Sequence, residues 1–217
     1  MSRPRVVLLV IDQLAGHWVE DGVIVSSTGL RAPNVLDYHH QGLIPNLSNC
    51  IREGLWTLRP LSRGKCMTPY GLRYLATGSY ESGDQVVLED DWKCLPHADG
   101  KYHTLCEWID EHQPKIRMAT FGSGLWVGLG YWYTTQHCVP LPGFYPDEKE
   151  LTEYVFPYVK ANPDWDFMMI YLPEHDLTAK AYGIPVSLPD PEQPVSDKHH
   201  HLVDHVDRHV GTLIGFL

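Results

Sequence analysis

The chain has no paired-cysteine signature. Its five cysteines, Cys50, Cys66, Cys94, Cys106 and Cys138, are odd in number and scattered, and no C-x-x-C occurs. A disulfide framework and a zinc knuckle are therefore not indicated, and most of the thiols are expected to be packing groups. There is no run of Lys or Arg either: 17 basic residues stand against 27 acidic ones, a formal charge of -10. A binder that tracks nucleic-acid phosphates needs a basic stripe, so small-molecule partners are expected and nucleic acid is not. Long apolar runs are also missing near the start, where only six apolar residues, Val6 to Ile11, precede Asp12. That is too short for a signal-peptide core and far too short for a bilayer span, so the expectation is a cytoplasmic chain with no membrane partner. Gly122, Gly124 and Gly128 do not form G-x-G-x-x-G, and there is no Walker lysine motif, internal repeat or low-complexity tract.

What is present is the composition of a folded protein, 43% hydrophobic and 20% charged over 217 residues, enough for one sizeable α/β domain. "RVVLLVID" reads as a central parallel strand buried on both faces, with Asp12 at its carboxyl end. Residues 13–44 show little periodicity and read as an irregular insertion. Pro45 starts and Gly54 stops a short helix with Leu47 and Ile51 on one face, leading into a strand near Leu55 to Leu58. "KYHTLCEWIDEHQP" predicts an amphipathic helix and "KIRMATFG" the next strand. Glu148 to Lys160 is a further helix despite Pro157, and "DWDFMMIYLPEHD" is a second apolar strand running into Asp176. Four prolines make residues 184–195 an extended connection, after which Ser196 is the expected N-cap of a last helix. Its apolar stripe is Val203, Val206, Val210, Leu213 and Leu217; His201, His205 and His209, among Asp204, Asp207 and Arg208, read as the opposite, solvated face. Trp126, Trp132 and Tyr133, in a Gly-containing stretch, either line a pocket or pack. Alternating strands and helices predict a mostly parallel sheet flanked by helices, with ligands bound at the carboxyl ends of its strands.

Asp12, Thr68 and Asp176 then converge on one sheet edge. In chain order, "VVLLVID", "IPNLSNCIREGLW", "TPYGLRYLATG", "YLPEHDLTAKAYG" and "VDRHVGTLIGFL" resemble the alkaline phosphatase superfamily, nearest to its type I phosphodiesterase/nucleotide pyrophosphatase and sulfatase branches. The resemblance implies an alkaline-phosphatase-like fold and a metal-dependent hydrolase of phosphate or sulfate esters. In that family a first-strand Asp binds metal, and a Thr, Ser or modified Cys opens a helix as nucleophile, with Thr-Gly nine residues on. Thr68 and Thr77-Gly78 fit that interval and Cys66 does not. Sulfatase chemistry needs Pro two residues after Cys, whereas Pro69 is three after Cys66, so Cys66 is read as a structural thiol.

The resemblance assigns metal ligation to Asp12, Thr68 and Asp176, the cation being zinc or another divalent metal. The need for a cation follows from magnitudes. A helix amino terminus favours negative charge by about 0.3–1 kcal/mol. A bound cation can lower the pKa of water by roughly nine units, about 12 kcal/mol. Two departures stand out. Lys180 occupies the position of a family His in D-x-x-x-H, where an ammonium cannot ligate metal; it is read either as a cationic clamp on an ester oxygen or as an exposed lysine. No Ser/Thr-Asp-His-Gly occurs, although the family draws further ligands from that stretch and from a later His. The expectation is thus an α/β domain incomplete at its carboxyl end, partnered by a complementary chain or by self-association and weak in metal binding. The alternative is a non-catalytic remnant or subunit of the same fold.

Overall fold

Phe167–Leu172, FMMIYL, is buried along its whole length, as a strand with neighbours on both sides and helices over both faces must be. The computed structural model, which describes residues 4–12, 35–55, 65, 67–87, 93–122, 146–175 and 202–217, makes this strand, β5, the middle of a three-stranded parallel sheet in the order β1-β5-β4. β1 is Val6–Ile11 and β4 is Met118–Gly122, the latter in register with β5 from Met118 opposite Phe167 to Gly122 opposite Tyr171. Among the described strands the central position expected for "RVVLLVID" belongs to β5: β1 is at one end of their order and only partly buried, with Val6 52% exposed. The described residues form an α/β fold with a small parallel sheet flanked by helices.

These residues divide into two compact units. The first comprises residues 1–10 and 62–172, and the second residues 11–61 and 173–217. In the first, α3 (Thr68–Thr77) and α4 (Leu105–His112) bury Tyr70, Leu72, Ala76, Cys106 and Ile109 with alternate β5 residues Phe167, Met169 and Tyr171. On the opposite face, the Phe121 ring of β4 meets the Tyr158 ring of α6 (Phe156–Ala161) edge-on at 5.4 Å. α6 continues α5 (Asp147–Glu150) through a π turn, Leu151–Val155. Pro157 has no N–H to give an i→i+4 bond, and the wider i→i+5 turn just upstream lets the helix pass through it. A two-residue ribbon pairs β2 (Val86–Val87) antiparallel with β3 (Lys93–Cys94). Asp166 ties the amino edge of the sheet together: its carbonyl accepts from the Val6 N–H at 3.0 Å, and its carboxylate from the Arg117 N–H at 3.0 Å.

The second unit is helical. α1 (Val35–Gln41) lies inside the stretch expected to be irregular, and α2 (Pro45–Glu53) starts and stops where Pro45 and Gly54 predict. A π turn, Leu202–Asp207, leads into α7 (Arg208–Phe216). Val35, Tyr38, Ile44 and Val206 form its core, with Ile11, Leu47 and Ile51 packed against them. The expected strand near Leu55–Leu58 (beyond Leu55), the connection at 184–195 and the Ser196 cap lie outside the described residues.

Candidate functional site

Thr68 is the first residue of α3. The N-cap is Met67, extended at φ -133° and ψ 147° with no side-chain cap, and the Gly71 N–H donates to the Met67 carbonyl at 2.9 Å. Thr68 therefore does not serve as the N-cap. It is half-buried at the end of the helix where unsatisfied amides favour negative charge. Pro69 suits the first turn, since a missing N–H costs nothing there.

The far end of α3 explains the Thr-Gly signal physically. Gly78 takes the left-handed conformation, φ 68°, and its N–H donates to the Tyr74 carbonyl at 2.8 Å. The Thr77 hydroxyl donates to the Arg73 carbonyl at 2.9 Å and lies 2.7 Å from the Ser82 hydroxyl, tying the helix end to the 3-10 segment Glu81–Gln85. Beside the first turn, the Lys65 ammonium sits 3.1 Å from the Tyr70 hydroxyl and over the Tyr70 ring, and Tyr70 raises its pKa.

In the second unit, Asp12 follows the last residue of β1 directly and is half-buried. Glu174 and His175 follow β5, so all three come off the carboxyl ends of two adjacent parallel strands. Burial lowers the His175 pKa, and the Asp12 carboxylate acts against that shift. A Glu174 carboxylate oxygen and a His209 ring nitrogen lie within 4.8 Å of each other. Carboxylates and imidazoles are donor types that hold divalent cations without singling out zinc.

Of the residues expected to carry chemistry, Asp12 and Thr68 stand where the sequence puts them, at a strand's carboxyl end and at a helix start, each in its own unit. Asp176, Lys180, Cys66, His201, Trp126, Trp132 and Tyr133 lie outside the described residues. Two expectations on the last helix are corrected. His209 is 4% exposed and Asp207 3%, so neither is on a solvated face. The π turn at Leu202–Asp207 holds more residues per turn than an α-helix, so the period of about 3.6 residues that set His209 opposite the stripe does not run through it, and His209 is buried along with Val206, Val210 and Leu213. Asp207 caps α2 from a distance: its carboxylate accepts from the Leu47 N–H at 2.8 Å, the Asn46 N–H at 3.3 Å and the Asn46 side-chain amide at 2.9 Å.

No protein-family model, curated protein or solved structure matches the chain. Among the described residues, no helix is long and apolar enough to cross a membrane.

Proposed function

We propose that the chain is a metal-dependent hydrolase of phosphate or sulfate esters, of phosphodiesterase or nucleotide pyrophosphatase type within the alkaline phosphatase superfamily, with Thr68 as nucleophile. The observation that carries this reading is the position of Thr68 at the start of α3, with Met67 rather than Thr68 as the N-cap and with Thr77-Gly78 closing the helix. Asp12 and Asp176 are the proposed metal-binding carboxylates. Carboxylate oxygens suit hard divalent cations such as manganese, and the family resemblance implies zinc, so both are tested. When bound, that cation would lower the pKa of the nucleophilic oxygen and offset charge on the ester. The chain's own part is to present the Thr68 hydroxyl oxygen for in-line attack: its bond to phosphorus or sulfur forms as the bond to the leaving alkoxide breaks, its proton passes to solvent, and water then cleaves the Thr68 ester to free the hydroxyl. The amino end of α3 favours the negative charge that gathers there. Lys180 would hold an ester oxygen as a fixed cation.

The test is turnover of a chromogenic phosphodiester and an aryl sulfate by the 217-residue chain with added zinc or manganese, together with mass spectrometry of trapped Thr68. The chain alone should show little or no turnover; with a complementary carboxyl-terminal chain the expected result is activity abolished by Thr68→Ala, with a phosphoryl or sulfuryl adduct on Thr68, and undiminished activity of Thr68→Ala excludes Thr68 as nucleophile. The absence of a Ser/Thr-Asp-His-Gly stretch, from which the family draws further ligands, favours a second reading: a non-catalytic remnant or subunit of the same fold. That reading predicts no turnover of either ester under any metal, with or without a complementary carboxyl-terminal chain.

A further inference from the structure

Arg73 is fully buried on α3, where a side chain that cannot lose its charge needs acceptors. Its Nε points to the Ser82 carbonyl at 3.4 Å, and a terminal guanidinium nitrogen lies 3.2 Å from Nε2 of His97. A guanidinium only donates, so Nε2 must be the acceptor and the ring proton must sit on Nδ1. The segment holding His97 closes on itself and is tied to α4 through the Tyr102 N–H, which donates to the Glu107 carboxylate at 3.1 Å, and through the Lys101–Glu111 pair. The His97 N–H donates to the Lys101 carbonyl at 2.7 Å, the Gly100 N–H to the His97 carbonyl at 2.9 Å, and the Lys101 N–H to the Asp99 carboxylate at 3.0 Å. His103 is the sole non-glycine residue with positive φ among the described residues, at 56°. Its ring meets that of His97 edge-on at 4.8 Å while pairing with Asp99 at 2.9 Å.

We propose that the neutral imidazole of His97, bonded to the buried Arg73 guanidinium, is an acid-sensitive latch that holds the turn at residues 97–103 against α3. A proton taken from solvent at Nε2 removes the acceptor and sets one cation against another. The groups around the ring reinforce the effect. Burial, Arg73 and His103 depress the His97 pKa, and Asp99 and Glu107 of α4 oppose them without reversing the direction. Around the guanidinium, the Tyr102 ring centroid is 6.0 Å away, and Cys94 of β3 also feels its charge. The inference does not depend on any reaction at Thr68.

Imidazole nitrogen NMR of the full chain, with amide exchange followed at His97, Gly100 and Lys101 from about pH 7.5 to about pH 5 and corrected for intrinsic rates, tests the proposal. The expected result is the Nδ1–H tautomer, a His97 midpoint below 6.5, and protection lost as the ring takes its proton. Each unit of depression corresponds to about a tenfold rise in the opening constant on the acid side. His97→Gln keeps an acceptor near Nε2 and has no proton to gain, so it should keep its protection across the range. An Nε2–H tautomer, a midpoint at or above 6.5, or acid-induced opening of His97→Gln equal to that of the unsubstituted chain overturns the proposal. If the variant is open at every pH, the tautomer and midpoint of the unsubstituted chain decide.

Discussion

At the residue scale, Asp207 shows how one carboxylate replaces a missing local cap. Ile44, at the N-cap of α2, has no side-chain acceptor, and the first-turn amides of Asn46 and Leu47 are satisfied from 160 residues away. Removing such an acceptor strands partly buried donors, so Asp207→Ala should cost about 1–3 kcal/mol, read as a lower urea midpoint at unchanged m-value. Asp207→Asn, which keeps one oxygen, should lose less. Thiol chemistry offers a second check. Burial, with Asp110 and Glu107 nearby, pushes the Cys106 thiol up to about 12, and burial also raises Cys94 against the pull of Arg73, while Cys50 is exposed. In the native chain an aromatic disulfide reagent should label Cys50 and leave Cys94 and Cys106 unmodified until denaturant is added, as peptide mapping would show.

At the element scale, glycines at two helical positions should respond oppositely to alanine. A Cβ at Gly71 in α3 meets nothing within 4 Å, so Gly71→Ala should stabilise by about 0.5–1 kcal/mol. A Cβ at Gly211 in α7 would come within 2.5 Å of the Asn46 side chain, which two bonds to Asp207 hold in place. Gly211→Ala should therefore destabilise by about 1–3 kcal/mol, and thermal melts of the two variants should move in opposite directions. The same elements show what the sequence made legible. Helix ends written in local chemistry were readable: Pro45 and Gly54 bound α2, and Thr77-Gly78 ends α3. The π turns at Leu151–Val155 and Leu202–Asp207 have no comparable local signal, and β2 and β3 are too short for a period to show. Of the candidate site, the strand end at Asp12 and the helix start at Thr68 were legible as positions in the fold. Burial of Glu174 and His175 depends on packing around the chain after β5, and that of His209 on the π turn that precedes it, neither of which residue spacing alone displays.

For the whole molecule, two of the described histidines contribute to the response to acid. Burial depresses both His97 and His175 below 6.5, so the unfolded chain takes up their protons first. Their stabilising contribution is complete above about 6.5 and declines as pH falls from there through their folded values. Urea midpoints should drop over that window, and His97→Gln should remove part of the slope. Construction of the sheet bears on a different process. The β1 residue Val6 is joined to Asp166, and β1 borders β5, whereas nearly everything that completes this sheet is encoded later. A ribosome adding roughly 5–20 residues per second would leave the first strand waiting roughly 8–30 seconds before its neighbour is made. Throughout that interval an apolar VVLLVI ribbon has no sheet to join, making the nascent chain a client for chaperones that shield β-prone segments and placing its aggregation hazard in synthesis rather than in the finished fold.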